Sequence, residues 1–277
     1  MKTIINKKNS NIFSMIKYIV PIFLILISSA CKKENCKYDD DFPHDCNKGM
    51  DVAFLVDYTG SMGPAINDIK TSVTSIVGAI NTQSAGNYRL ALSIFDEQSK
   101  GFPPAYFLQP DYTSLPVANK IVNTTGPTTN QYLTTMEKFS LANQTSFGTQ
   151  LAKLNASMSL GSGNGVAEPG GMLLDKIVNS AFAGTWRTGI SKLAIIITDA
   201  PDGGDDDNAT VVDDAFLAAL ATQANTAQIQ CILVTTLPAS NYEIHLIGNN
   251  ILGLKVVKSN FTNISTDIIN IINQVCQ

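Results

Sequence analysis

The segment Val52-Ala-Phe-Leu-Val-Asp57-Tyr-Thr-Gly-Ser61-Met-Gly63 begins as five apolar residues in a row and ends as a polar turn. An apolar run without alternation is what a strand buried on both faces requires, and such strands belong to parallel sheets covered by helices. Downstream, Ile66, Ile69, Val73, Ile76, Val77 and Ile80 recur at helical spacing. Tyr88–Phe95 reads as a second strand and Ala105–Gln109 as a short third. Residues 110–165 are rich in Thr, Asn, Ser and Gly, with short helical patches expected at Leu115–Ile121, Asn130–Phe139 and Thr149–Met158. Met172–Phe182 has helical spacing again, and Leu193–Ile197 is the most apolar strand, running into Thr198-Asp199. Val211–Leu220 predicts a helix, Ile229–Thr235 a strand, residues 241–248 a short helix, Leu252–Val257 the last strand and Ile264–Val275 the last helix. Strands alternating with helices imply an α/β domain, a doubly wound, mostly parallel sheet flanked by helices. Ligands of such sheets bind beyond the carboxyl ends of the strands, where Asp57 and Asp199 fall.

The chain has 277 residues, 44% of them hydrophobic and 15% charged, enough apolar material for one sizeable core. Residues 1–30 carry four lysines and no acid, which leaves the remainder with 15 bases against 23 acids, a net charge of −8. So acidic a surface is a poor match for a phosphate backbone, which argues against a nucleic-acid partner. The lysine-bearing leader precedes a nine-residue apolar run, Ile19–Ile27, and then Ser28-Ser-Ala-Cys31. This is the layout of an export signal, and the run falls short of the ~20 residues a bilayer span needs. The small residues before Cys31 resemble the lipobox of bacterial lipoproteins, although Ser28 stands where Leu or Val is usual. That resemblance implies lipidation at Cys31 and an exported protein anchored in the bacterial cell envelope or at the cell surface. The expected divisions are a signal at 1–30, a polar tether at 31–47 and one domain at 48–277.

Four further cysteines follow, and an exported chain permits disulfides. Cys231 sits in an apolar strand and reads as a buried thiol. A bridge from Cys46 or Cys36 to Cys276 would close the domain where its ends meet, while Cys36–Cys46 would form a local loop. Spacing leaves these connectivities open.

Asp57, Thr59 and Ser61 place one carboxylate and two hydroxyls at alternate positions after a buried strand. Oxygen-only donors suit a hard divalent cation. Asp57-Tyr-Thr-Gly-Ser-Met-Gly63 resembles the metal-ion-dependent adhesion site (MIDAS) motif of the von Willebrand factor type A (VWA) family, and more distantly that of the integrin β I-like domain. Gly161-Ser-Gly-Asn-Gly-Val-Ala-Glu168-Pro-Gly-Gly171 resembles that family's Gly-rich loop, and Trp186-Arg187 with Lys192–Pro201 resembles its strand ending in Asp. The likeness covers residues 48–277 and implies a VWA or Rossmann-like fold. It further implies one site for Mg²⁺, or Mn²⁺ or Ca²⁺. Thr59, Ser61 and Glu168 would be ligands, with Asp57 and Asp199 acting directly or through water. Thr149, in Gly148-Thr149, is the rival for the position given to Glu168. Pro64 and Ala65 replace the aspartates that bind a flanking cation in integrin β subunits, so a single metal is expected.

The resemblance implies a binding module whose cation accepts an Asp or Glu carboxylate from a partner protein. Two other readings stand beside it. Asp57-Tyr-Thr-Gly-Ser61 also resembles the nucleophile motif of haloacid-dehalogenase-type phosphotransferases, but Tyr58 replaces their Lys and Asp199-Ala-Pro-Asp202 lacks their second Lys. A structural scaffold without metal is the other. Alone, the hydroxyls would serve as helix caps. Asp96 is expected to be a strand-end acid, Asp202–Asp207 a solvated acidic loop, and His44 and His245 isolated histidines.

Overall fold

The computed structural model describes residues 45–95, 120–123, 130–154, 167–204 and 208–277, all within the compact unit Pro43–Gln277. The segment Met50–Asp57 forms strand β1, and all eight of its residues are buried. Its side chains alternate between two cores, as the two-residue period of a strand demands. Val52, Phe54 and Val56 enter one, and Ala53 and Leu55 the other. Full burial of side chains of this size contributes roughly 1.5–3 kcal/mol each.

Helix α1 (Gly63–Gln83) starts with Pro64 in its first turn, where a missing N–H costs nothing. Strands β2 (Tyr88–Phe95), β3 (Lys120–Asn123) and β4 (Asn130–Leu141) follow, then helices α2 (Gln144–Lys153) and α3 (Gly170–Asn179). Strand β5 (Ser191–Thr198), helix α4 (Val211–Thr226), strands β6 (Gln230–Thr235) and β7 (Leu254–Val257) and helix α5 (Ile264–Val275) complete the order. A single π-helical turn, Tyr242–Leu246, lies between β6 and β7.

These strands form one seven-stranded sheet in the order β3-β4-β2-β1-β5-β6-β7. Strands β2, β1, β5, β6 and β7 are mutually parallel, whereas β4 runs antiparallel to β2 and β3 antiparallel to β4. Helices α1, α2 and α5 cover one face, with Ile66, Ile76, Phe147, Ile268 and Ile272 in its core. Helices α3 and α4 cover the other through Leu173, Ile177, Leu217 and Leu220. The doubly wound, mostly parallel α/β sheet is thus observed.

The region between β2 and α3 departs from expectation. Asn130–Phe139, expected as a helical patch, is strand β4, paired to β2 with Phe95 opposite Leu133 and Ser93 opposite Thr135. The Ser93 and Thr135 hydroxyls share a buried hydrogen bond of 2.9 Å. Leu133 and Met136 have helical spacing, but the β-branched and aromatic residues around them satisfy an open sheet edge, and tertiary pairing overrides the local period. Lys120 and Ile121, at the end of another expected helical patch, lie in β3. Helix α2 begins at Gln144, earlier than the expected Thr149. The short strand expected at Ala105–Gln109 lies outside the described residues. Among the described residues, no helix is long and apolar enough to cross a membrane.

Cys46, in a 3₁₀ turn before β1, is bridged to Cys276, just past α5, while Cys231 is a buried free thiol. Burial pushes the Cys231 thiol up to about 12, which disfavours the reactive thiolate. The bridge spans 230 residues of sequence. Closing so long a loop restricts the unfolded chain, so Cys46→Ala with Cys276→Ala is expected to lose about 2–5 kcal/mol of stability. Chemical denaturation of the two proteins measures this; equal midpoints would show that the bridge contributes nothing.

Candidate functional site

The switch in chain direction along the sheet places β1 beside β5, and a crevice opens where such a switch occurs. Asp57 is the last residue of β1, and Asp199 is the first after β5. Asp57 and Thr59 are buried, whereas Ser61 is exposed at the mouth.

A run of polar contacts joins them. Asp57 Oδ1 accepts from the Thr59 amide at 2.9 Å and from the Thr59 hydroxyl at 2.7 Å. Thr59 Oγ1 lies 3.4 Å from Ser61 Oγ, and the Ser61 hydroxyl donates to Asp199 Oδ1 at 3.0 Å. Asp57 Oδ2 accepts from the Thr198 hydroxyl at 2.7 Å. A hydroxyl owns one proton and two lone pairs. Thr59 and Ser61 direct their protons at carboxylates, so lone pairs of both oxygens remain for an electrophile.

Electrostatics single out Asp57. Burial is the largest influence and raises its pKa to about 6, against hydrogen bonds from Thr59 and Thr198 that lower it; the charge of Asp199 adds to the rise. Among the described residues, neither Asp57 nor Asp199 has an ion-pair partner. Asp51, at the other end of β1, shows the contrast. It is equally buried, yet the Arg89 and Arg187 side chains both donate to its Oδ1 at 2.9 Å.

Glu168 sits two residues before α3 and is buried. Its backbone is stitched to the segment after Asp199: its amide donates to the Pro201 carbonyl at 2.8 Å, and its carbonyl accepts from Gly203 at 3.1 Å. Thr149 is exposed on the outer side of α2, where its hydroxyl donates to the Thr145 carbonyl at 2.9 Å, and it is not among the contacts around Asp57. Among the described residues, no group of three or more His, Cys, Asp or Glu has metal-holding geometry. The donors brought together are two carboxylates and two hydroxyls. They fit a hard divalent cation by chemistry, since each is an oxygen and the paired acids lack a countercharge.

Asp202 corrects an expectation. It is wholly buried, not part of a solvated loop; Asp205–Asp207 lie outside the described residues. Its Oδ1 accepts from the Gly171 amide at 2.7 Å and from the Tyr242 hydroxyl at 3.0 Å, and the Asn241 side chain clasps its backbone on both sides. Burial drives Asp202 up to about 7 despite those hydrogen bonds, and burial with the nearby Asp202 charge drives Tyr242 well up. A Cβ at position 171 would lie 2.5 Å from Asp202 Oδ2, so only glycine lets α3 approach this closely. Gly161–Gly165, Asp96, His44 and Cys31 lie outside the described residues, and His245 faces Asp214 at 3.5 Å.

Thr198, Asp202, Asn241 and Tyr242 were not foreseen. A hydroxyl closing an otherwise apolar buried strand was a usable signal for Thr198, because such a group must find partners. No sequence signal joins Tyr242 to Asp202, 40 residues away.

No family model matches the chain, and no curated protein matches it. Among solved structures, the crystal structure of the SpRpn10 VWA domain is 10% identical, with a TM-score of 0.49, covering 80% of this chain and 94% of that one. Proximal thread matrix protein 1 from the mussel byssus is 14% identical, with a TM-score of 0.50, covering 82% of this chain and 47% of that one. The likeness to the byssus protein concerns the fold alone.

Asp57 carries a testable pH signature. An acid whose pKa is raised by folding binds its proton more tightly when folded, so its stabilising contribution is present at low pH and is lost as pH rises. In the metal-free protein, Asp57 is expected to remove on the order of 3 kcal/mol between about pH 4 and pH 6. Asp57→Asn should lack this component, read as the difference between the two proteins in denaturation midpoint against pH. Parallel profiles would show that Asp57 is not perturbed.

Proposed function

We propose that the domain is a metal-dependent binding module of the VWA type, carried on an envelope lipoprotein. The observation that carries this is the buried Asp57 carboxylate, linked through Thr59 and Ser61 to Asp199 with no cationic partner among the described residues. Thr59, Ser61 and Asp199 would hold one divalent cation, Mg²⁺ or its substitutes Mn²⁺ and Ca²⁺. Both Asp57 oxygens accept hydrogen bonds, so its part is to orient the Thr59 hydroxyl and balance charge, directly or through water. Glu168, held by its backbone against the Asp199 turn, would add its carboxylate as the resemblance implies. When bound, the cation supplies Lewis acidity toward an incoming carboxylate. The exposed Ser61 marks the open side, where an Asp or Glu of a partner protein would approach.

Burial of Asp57 argues against the phosphotransferase alternative. A nucleophilic carboxylate needs an oxygen open to substrate, and here both oxygens are buried and accept hydrogen bonds. The module is therefore proposed as non-catalytic.

Calorimetric titration of Mg²⁺ and Mn²⁺ into chelator-treated protein tests the reading. One binding site is expected, and Asp57→Ala should abolish it while circular dichroism stays native. Absence of binding, or full binding in Asp57→Ala, would refute it. The anchor is tested separately: Cys31→Ser should move the protein from the membrane fraction to the soluble one, and unchanged partitioning would remove Cys31 as the attachment point.

A further inference from the structure

Thr198 closes β5 and is wholly buried. A hydroxyl in such a place costs desolvation unless its donor and acceptor are both used. Here both are. The hydroxyl donates to Asp57 Oδ2 at 2.7 Å, and its oxygen accepts from the Ala200 amide at 3.0 Å. The Ala200 carbonyl is farther, at 3.4 Å, and competes for the same proton. Ala200 follows Asp199 directly. One hydroxyl is therefore tied to the side chain of the first acid and to the backbone turn that carries the second.

Traced through, the contacts form a closed ring. Thr198 reaches Asp57, Asp57 holds Thr59, Thr59 meets Ser61, Ser61 donates to Asp199, and the turn after Asp199 returns to Thr198. Among these links, the one from Thr198 to Asp57 crosses between β1 and β5 in the buried interior. The Ser61–Asp199 link crosses at the exposed mouth. Without the inner crossing, Asp57 would keep only Oδ1 anchored and its carboxylate would be free to rotate away from Thr59.

We propose that Thr198 is a positioning residue that sets both carboxylates of the site by closing this ring. Its metal consequence rests on the cation-binding reading above; its structural consequence does not. Thr198→Val keeps the shape and deletes the hydroxyl, and Thr198→Ser keeps the hydroxyl. In the metal-free protein, amide hydrogen exchange at Thr59 reports whether Asp57 remains in place, because that amide donates to Asp57 Oδ1. After correction for global stability, Thr198→Val should speed exchange at Thr59 about tenfold or more, the scale of a lost hydrogen bond to a charged group, and Thr198→Ser should stay near wild type. Mn²⁺ affinity should fall about tenfold or more in Thr198→Val and be retained in Thr198→Ser.

Unchanged Thr59 exchange in Thr198→Val would overturn the proposal. So would a Thr198→Ser protein that behaves like Thr198→Val, because the methyl and not the hydroxyl would then matter. If wild type binds no Mn²⁺, the cation reading fails while the exchange comparison still judges Thr198. If Thr198→Val does not fold, Thr198→Ala makes the same comparison without a branched side chain.

Discussion

A buried carboxylate with no positive charge beside it is costly, and among the described residues the end of β1 holds one in Asp57. The same strand shows what a purely structural solution looks like. At its start, Asp51 is equally buried but receives two arginines, from β2 and from the segment before β5. Among the described residues, Asp57 instead receives hydroxyls and an amide. Those groups orient it and lower its pKa without cancelling its charge, so burial wins and the net shift is upward. This contrast between two equally buried acids on one strand is what the proposed cation site rests on.

The rest of the architecture serves that placement. Parallel pairing of β1 with β5 brings the two strand ends level, and the switch in winding direction leaves space above them. Isoleucine- and leucine-rich helices on both faces keep the strands fixed, and the Cys46–Cys276 bridge joins the turn before β1 to the end of α5. Asp202 then secures the turn after Asp199. Its side chain is held by Gly171 and Tyr242 and its backbone by Asn241, so α3 and the π-helical turn both bear on the site. The site is thus defined by contacts from four separate parts of the sequence.

Much of this was legible because it depends on local pattern. The apolar run Val52–Val56 announces a strand buried on both faces, and the spacing of Asp57, Thr59 and Ser61 announces oxygen donors on one turn. The pairing of Asp57 with Asp199 followed from both lying at strand ends in a parallel sheet. Asn130–Phe139 was misread because Leu133 and Met136 fit a helical period, whereas β2 supplied the partner that made it a strand. Asp202 was misread because an acid between glycines and other acids resembles a solvated loop. Its burial depends on Tyr242 and Gly171, which only the tertiary fold brings near. Glu168 is preferred to Thr149 in the sequence because it opens the helix just before the Asp199 strand, although each is followed by helical sequence. In the fold, Thr149 lies on the exposed side of α2, and Glu168 is tied to the Asp199 turn.

Anomalous diffraction from crystals grown with Mn²⁺ tests the central claim most directly. The account predicts one anomalous peak beside the Thr59 and Ser61 hydroxyls and the Asp199 carboxylate, absent from Asp57→Ala crystals grown the same way. A site without a peak at saturating Mn²⁺, or a peak that persists there in Asp57→Ala, would contradict it.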